Sequence, residues 1–185
     1  MIYRWTTILR ASLPILTIGV GIEMFAGHLL QSGQNTLLLF PIFFITIPVI
    51  NSVAGNIGSI LGARLASGLH VGTIEVDFKD ATLRENLMTA VFLGILTYFI
   101  LAIGIYFMVS FLGVDVGIGP MEFVFIMVGS GAILICVIAL ASVLTALWTF
   151  KKGLDPDDMV APVVTILGDT LGIAFLFVFI GVVLL

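Results

Sequence analysis

Charged side chains are scarce in this 185-residue chain: seven are basic and eleven acidic, against 61% hydrophobic residues. A water-soluble fold of this length needs far more polar surface, so a soluble domain is excluded. The composition is that of an integral membrane protein with the lipid bilayer as its solvent. Cysteine occurs once, at Cys136, so no internal disulfide can form; its place in an apolar run says nothing about redox compartment. No CxxC, HExxH, P-loop or GxSxG pattern occurs, and neither an internal repeat nor a low-complexity tract is present. Nucleic acid is not an expected partner.

Basic residues are also missing from particular places. Gln31–Thr36 and Leu112–Glu122, two of the loops between apolar runs, contain neither Lys nor Arg. All seven fall elsewhere: Arg4 and Arg10 before the first run, Arg64, Lys79 and Arg84 around the second loop, Lys151 and Lys152 in the fourth. The positive-inside rule then predicts a multi-pass protein of the cell membrane with its N-terminus in the cytoplasm and its C-terminus outside. The bias is complete, which argues against dual topology. The first run is long, carries Glu23 and lacks a small-residue cleavage site, so it reads as a retained helix and not a signal peptide.

Five segments reach the roughly 20 apolar residues that a spanning helix needs: Leu13–Leu30, Leu37–Leu69, Leu87–Phe111, Phe123–Phe150 and Met159–Leu185. The second would extend about 50 Å as one straight helix, against a hydrocarbon core of about 30 Å. A bend or break is expected at Pro48 or in the glycine-rich Asn51–Gly58 stretch. The fold class expected is all-α, with one five-helix membrane domain over residues 1–185 and no cytoplasmic regulatory domain. The loop before Asn86 has room for an amphipathic start to the third helix, through Leu83 and Leu87.

Ionisable groups inside such runs are costly, and each one is a hypothesis about function. Asp169 stands mid-segment, eleven residues past Asp158, with no helix end near it. On a 3.6-residue period Asp158, Pro162, Thr165, Asp169 and Gly172 share a face, a polar stripe about 16 Å long. The bland alternative is a neutral Asp169 hydrogen-bonded between helices. Asp155–Pro156 reads as an N-cap with proline at the first helical position, and Asp157 and Asp158 suit the positive end of the helix dipole. Gly55, Gly58 and Gly62 line one face of the second helix and permit close helix approach. Asn56, Ser59 and Ala63 form the adjoining face, and the Asn56 amide oxygen is a hard ligand. Carbonyls loosened around Pro48 and the glycines offer further oxygens. Glu23 is a second mid-membrane acid, either an ion or proton site or a neutral acid bonded to a neighbour. Ser142, Thr145 and the glycines of helices three and four read as packing. The donor set is all oxygen, which selects hard cations such as Mg²⁺, Ca²⁺ or Mn²⁺.

Pro48, Gly55-Asn56-x-Gly58, Arg64-Leu65-Ala66, Leu154-Asp155-Pro156-Asp157, Pro162, Thr165 and Gly168-Asp169 together resemble the membrane domain of MgtE-type magnesium transporters and their eukaryotic solute-carrier relatives. The likeness covers helices two to five in order. It implies a parallel homodimer with a cation path at the two-fold axis, lined by helices two and five. It implies that Asp169 binds Mg²⁺, that Gly55, Asn56 and Thr165 line the path, and that Asp155 lies near the inner mouth. Ala54 and Ile60 depart from the bacterial pattern, and Leu61–Ser67 is similar to the eukaryotic branch. The function expected is Mg²⁺ transport, with Asp158 and Asp155 gathering cations and Asp169 at the centre. Three alternatives stand beside it: an exchanger coupled to Na⁺ or H⁺ through Glu23; a metal-dependent membrane enzyme, whose surface aspartates the GNIGSILGAR stretch lacks; and a non-transporting assembly subunit.

Overall fold

The computed structural model describes residues 5–113 and 116–184. Arg4 and Asp115 lie outside the described residues. Six helices follow in order: α1 (Trp5–Ser32), α2 (Gln34–Leu39), α3 (Ile42–Val71), α4 (Ala81–Phe111), α5 (Pro120–Lys151) and α6 (Pro156–Leu184). Among the described residues five of them, all but α2, are long and apolar enough to cross a membrane. An apolar medium leaves no water for unpaired backbone groups, so spans of this kind satisfy their amides internally as helices.

The long second run is divided, but at Phe40–Pro41 and not at Pro48. Phe40 takes φ −128° and ψ 78°, because a residue before proline is pushed away from the helical region. Pro41, at φ −60°, is already set for a helix start. From Ile42 the helix runs unbroken through Pro48 and the whole Asn51–Gly58 stretch. Pro48 costs one backbone bond, which a helix packed among neighbours tolerates.

Helix ends follow local chemistry. Gly72 closes α3 at φ 79°, a left-handed position that disfavours any side chain. Asp80 opens α4 by accepting from the Leu83 amide at 2.7 Å, which draws the helix start back from Leu87 to Ala81. The amphipathic start is there: Leu83 is buried. Glu122 accepts from the Gly119 amide at 3.0 Å, and Asp155 from the Asp157 amide at 3.1 Å.

Helix α6 is the hub, packed against α3, α5 and α1, while α4 lies on α5 and α3. In lipid, helices gain nothing from hiding apolar surface from each other, so small residues and interhelical hydrogen bonds hold them together. Tyr98 of α4 is fully buried and donates to the Ile50 carbonyl at 3.0 Å. Ser142 of α5 donates to the Gly58 carbonyl at 2.9 Å. Large apolar side chains such as Phe92, Phe107 and Val182 point outward. Helix α1 leans on α6 where Gly19 meets Ile166, and most of its side chains from Leu13 on are exposed. The loop around Gly117 meets Leu39 at one end of the bundle, and residues 76–78 share a cleft with Trp148 and Lys151 at the other.

Candidate functional site

Three glycines of α3 face α6 along an antiparallel seam. A methyl group built on Gly62 would collide with Val160, and one on Gly58 would stand 2.9 Å from Val164 Cβ. On Gly55 it would lie 3.6 Å from Thr165 Oγ1 and 3.7 Å from Thr165 Cα. From the other side, a methyl on Gly168 would lie 3.5 Å from the Gly55 amide nitrogen, and one on Gly172 would strike the Asn51 amide oxygen. Backbones therefore meet closely from Gly62 to Asn51, and Asp169 sits within that crossing.

Asp169 is half-buried. Asn51 Nδ2 donates to its main-chain carbonyl at 3.3 Å, and the same amide is near enough to act on the carboxylate. Glu23 of α1 is also close enough for its charge to act on Asp169. Asn51 Oδ1 and Thr170 Oγ1 are buried beside it with no hydrogen-bond partner among the described residues. Asp169 forms no ion pair among those residues.

The expected residues are only partly gathered. Gly55 and Thr165 touch, and Asp169 follows one turn further along α6. Asn56 points away from the seam; it is exposed and donates to Ser52 Oγ at 3.2 Å. Thr165 is likewise exposed. The polar stripe on α6 opens outward at Asp158 and Thr165 but is closed at Gly172, which Asn51 and Leu134 cover. Asp158 stands about 16 Å along the helix from Asp169. Asp155 lies with His70, Ser67 and Asp157 around a cleft of about 780 Å³ at that end. Among the described residues no three His, Cys, Asp or Glu side chains form a group that could hold a metal ion. Two α3 carbonyls near the glycines, those of Ile50 and Gly58, are taken up by Tyr98 and Ser142.

Asn51 was not singled out by sequence reasoning, where it counted only as a weak helix former. Its signal was positional: on a 3.6-residue period it shares the face of Gly55, Gly58 and Gly62.

The pattern of the MgtE divalent cation transporters matches residues 47–179. The chain belongs to that family. The match runs from just before Pro48 to Phe179, so it takes in the α3–α6 seam, all of α4 and α5, and leaves α1 outside. Neither a curated protein nor a solved structure matches the chain. As an MgtE-family member it is a multi-pass membrane protein of a family that transports divalent cations.

Proposed function

We propose that this MgtE-family chain moves Mg²⁺ across the cell membrane as a parallel homodimer, along a path at the two-fold axis between its α3 and α6 helices. The observation that carries the reading is Asp169: a half-buried carboxylate in an apolar helix, at a glycine crossing, with no cationic partner among the described residues. Burial of an unpaired charge is expensive, and a divalent ion offsets that cost. One chain brings too few ligands to this point, and a second copy supplies a second Asp169. Two facing carboxylates repel, and a dication between them resolves the conflict. The exposure of Asn56 and Thr165 on the sides of α3 and α6 supports their facing that path. Mg²⁺ holds its water tightly, so amide and hydroxyl oxygens need only orient its hydration shell. Asp155 and Asp158 at the start of α6 raise the local cation concentration at the mouth. The charge bias puts that mouth in the cytoplasm.

The test is Mg²⁺ flux into liposomes with wild type and Asp169→Asn, together with calorimetric binding of several divalent ions. The variant loses at least about ten-fold in flux, as removal of a buried charge partner predicts. Wild-type flux through Asp169→Asn refutes the reading.

A second reading has its own observation. Glu23 lies near enough to Asp169 for their charges to interact, and a passive path needs no second acid within a membrane-spanning helix. An exchanger coupled to Na⁺ or H⁺ through Glu23 predicts Mg²⁺ flux that follows a Na⁺ or pH gradient and loses that dependence in Glu23→Gln. Gradient-independent flux excludes it.

A further inference from the structure

At the end of the bundle that carries residues 72–80, α3 and the start of α4 leave a cleft of about 580 Å³. Arg64, Ser67, Thr82 and Asn86 line it with polar groups, and Ile60 and Val71 line it with apolar ones. Arg64 is exposed and makes neither an ion pair nor a hydrogen bond among the described residues. Asn86 Nδ2 donates to the Thr82 carbonyl at 2.8 Å, which fixes the amide at the cleft wall and leaves its second N–H over.

Depth decides what such a cleft meets. Counted from Ile42 at 1.5 Å per residue, a hydrocarbon core of about 30 Å is crossed after about 20 residues, near Leu61. Arg64 then stands about 4 Å further on, at the level of lipid phosphates. A guanidinium fork matches two phosphate oxygens at once, and this one is unengaged. Lys79 and Arg84 belong to the same end of the bundle and add to its attraction for anions. Ile60 and Val71, 56% and 77% exposed, continue the outward apolar surface into the cleft. A free anion would leave that wall bare, whereas an acyl chain covers it.

We infer that this cleft binds one anionic phospholipid. Arg64 grips the headgroup phosphate, the Thr82 hydroxyl and Asn86 amide donate to it, and an acyl chain runs along Ile60. The site is separate from the cation path: Arg64 is turned about 80° from Asn56 around α3.

Native mass spectrometry of the purified protein with equal phosphatidylglycerol and phosphatidylcholine tests this. Wild type retains phosphatidylglycerol by about five-fold over phosphatidylcholine, the equivalent of one arginine's attraction at such a surface. Arg64→Gln brings the ratio to about one, while Arg84→Gln, outside the cleft, keeps most of it. Equal preference in Arg64→Gln and wild type overturns the proposal. So does loss of bound phosphatidylglycerol on adding inorganic phosphate, which would mark the cleft as a site for the free ion. Should Arg64→Gln fail to fold, Thr82→Val keeps every charge and removes one donor: a fallen ratio supports the site, and an unchanged ratio overturns it.

Discussion

Alanine at Gly58 and at Gly55 separates the two halves of the α3–α6 seam. At Gly58 the new methyl would stand 2.6 Å from Ile138 Cγ2 and 2.9 Å from Val164 Cβ. Both neighbours are fully buried and β-branched, with essentially one helical rotamer each, so neither can swing aside. Overpacking of this kind costs about 1–3 kcal/mol. At Gly55 the same methyl meets Thr165 at 3.6 and 3.7 Å, which is ordinary contact. The gain in helix propensity, about 1 kcal/mol for alanine over glycine, is common to both variants and cancels in their difference. For a chain of this size each kcal/mol moves the melting temperature by about 2–4 °C. Gly55→Ala should therefore melt about 2–12 °C above Gly58→Ala, read by fluorescence of the detergent-solubilised protein. Gly168→Ala belongs with Gly55→Ala, since its methyl finds the Gly55 nitrogen at 3.5 Å and Ala54 Cβ at 3.6 Å. Equal melting temperatures, or the reverse order, would refute the register of the two helices.

Asn51→Ala gives up the 3.3 Å bond to the Asp169 carbonyl, worth about 0.5–1.5 kcal/mol, but also removes a buried unpartnered oxygen that costs about 1–3 kcal/mol. Its melting temperature should stay within a few degrees of wild type while calorimetric cation affinity falls; a loss beyond about 10 °C would contradict this. Tyr98→Phe removes the buried bond to the Ile50 carbonyl and should cost about 0.5–1.5 kcal/mol, or about 1–6 °C, with the helices still packed. The amides of Leu83 and Glu75 hold the Asp80 carboxyl below its ordinary value of 3.8. A depressed folded-state pKa stabilises fully above the unfolded value and is lost as pH falls through the folded one. Wild type should therefore lose melting temperature below pH 3.8 more steeply than Asp80→Asn, which accepts the same bonds without titrating; parallel profiles would contradict the capping role.

The five spans were legible because each is an apolar run bounded by charge or glycine, a signal carried by single residues. Their ends were less so. Leu87 looked like the start of the third span, yet Asp80 caps the helix six residues earlier, where polar Thr82, Arg84 and Glu85 occupy an emergent turn. Pro48 drew attention over Pro41, although the structure breaks at Phe40–Pro41: packed neighbours sustain a helix through proline at one position, and only tertiary contact decides which. At the site, Gly55, Thr165 and Asp169 could be placed on faces by periodicity. That Asn51 meets Asp169 could not, since the pair is 118 residues apart and its register depends on how two antiparallel helices cross. That Glu23 comes within electrostatic reach of Asp169 was hidden for the same reason, because nothing local says that α1 lies on α6.

How Asp169 is held bears on which of its two readings is the better one. A structural acid in lipid would have its carboxyl capped by a neighbouring donor, and Asn51 is the donor within reach. Its amide bonds the Asp169 main-chain carbonyl at 3.3 Å and also reaches the carboxylate, a neutral donor that leaves the charge unbalanced, while its own oxygen is pressed toward Gly172 without a partner. The tether thus fixes the backbone of α6 against α3 and leaves the carboxylate oxygens uncommitted to any cation of the described chain. Glycine makes this possible. Only backbones as close as Gly55 and Gly168 allow a short asparagine on one helix to reach the main chain of the other. An acid anchored by its backbone, without a cationic partner among the described residues and within electrostatic reach of a second acid, carries a high electrostatic cost. A fold tolerates that cost where a cation regularly removes it.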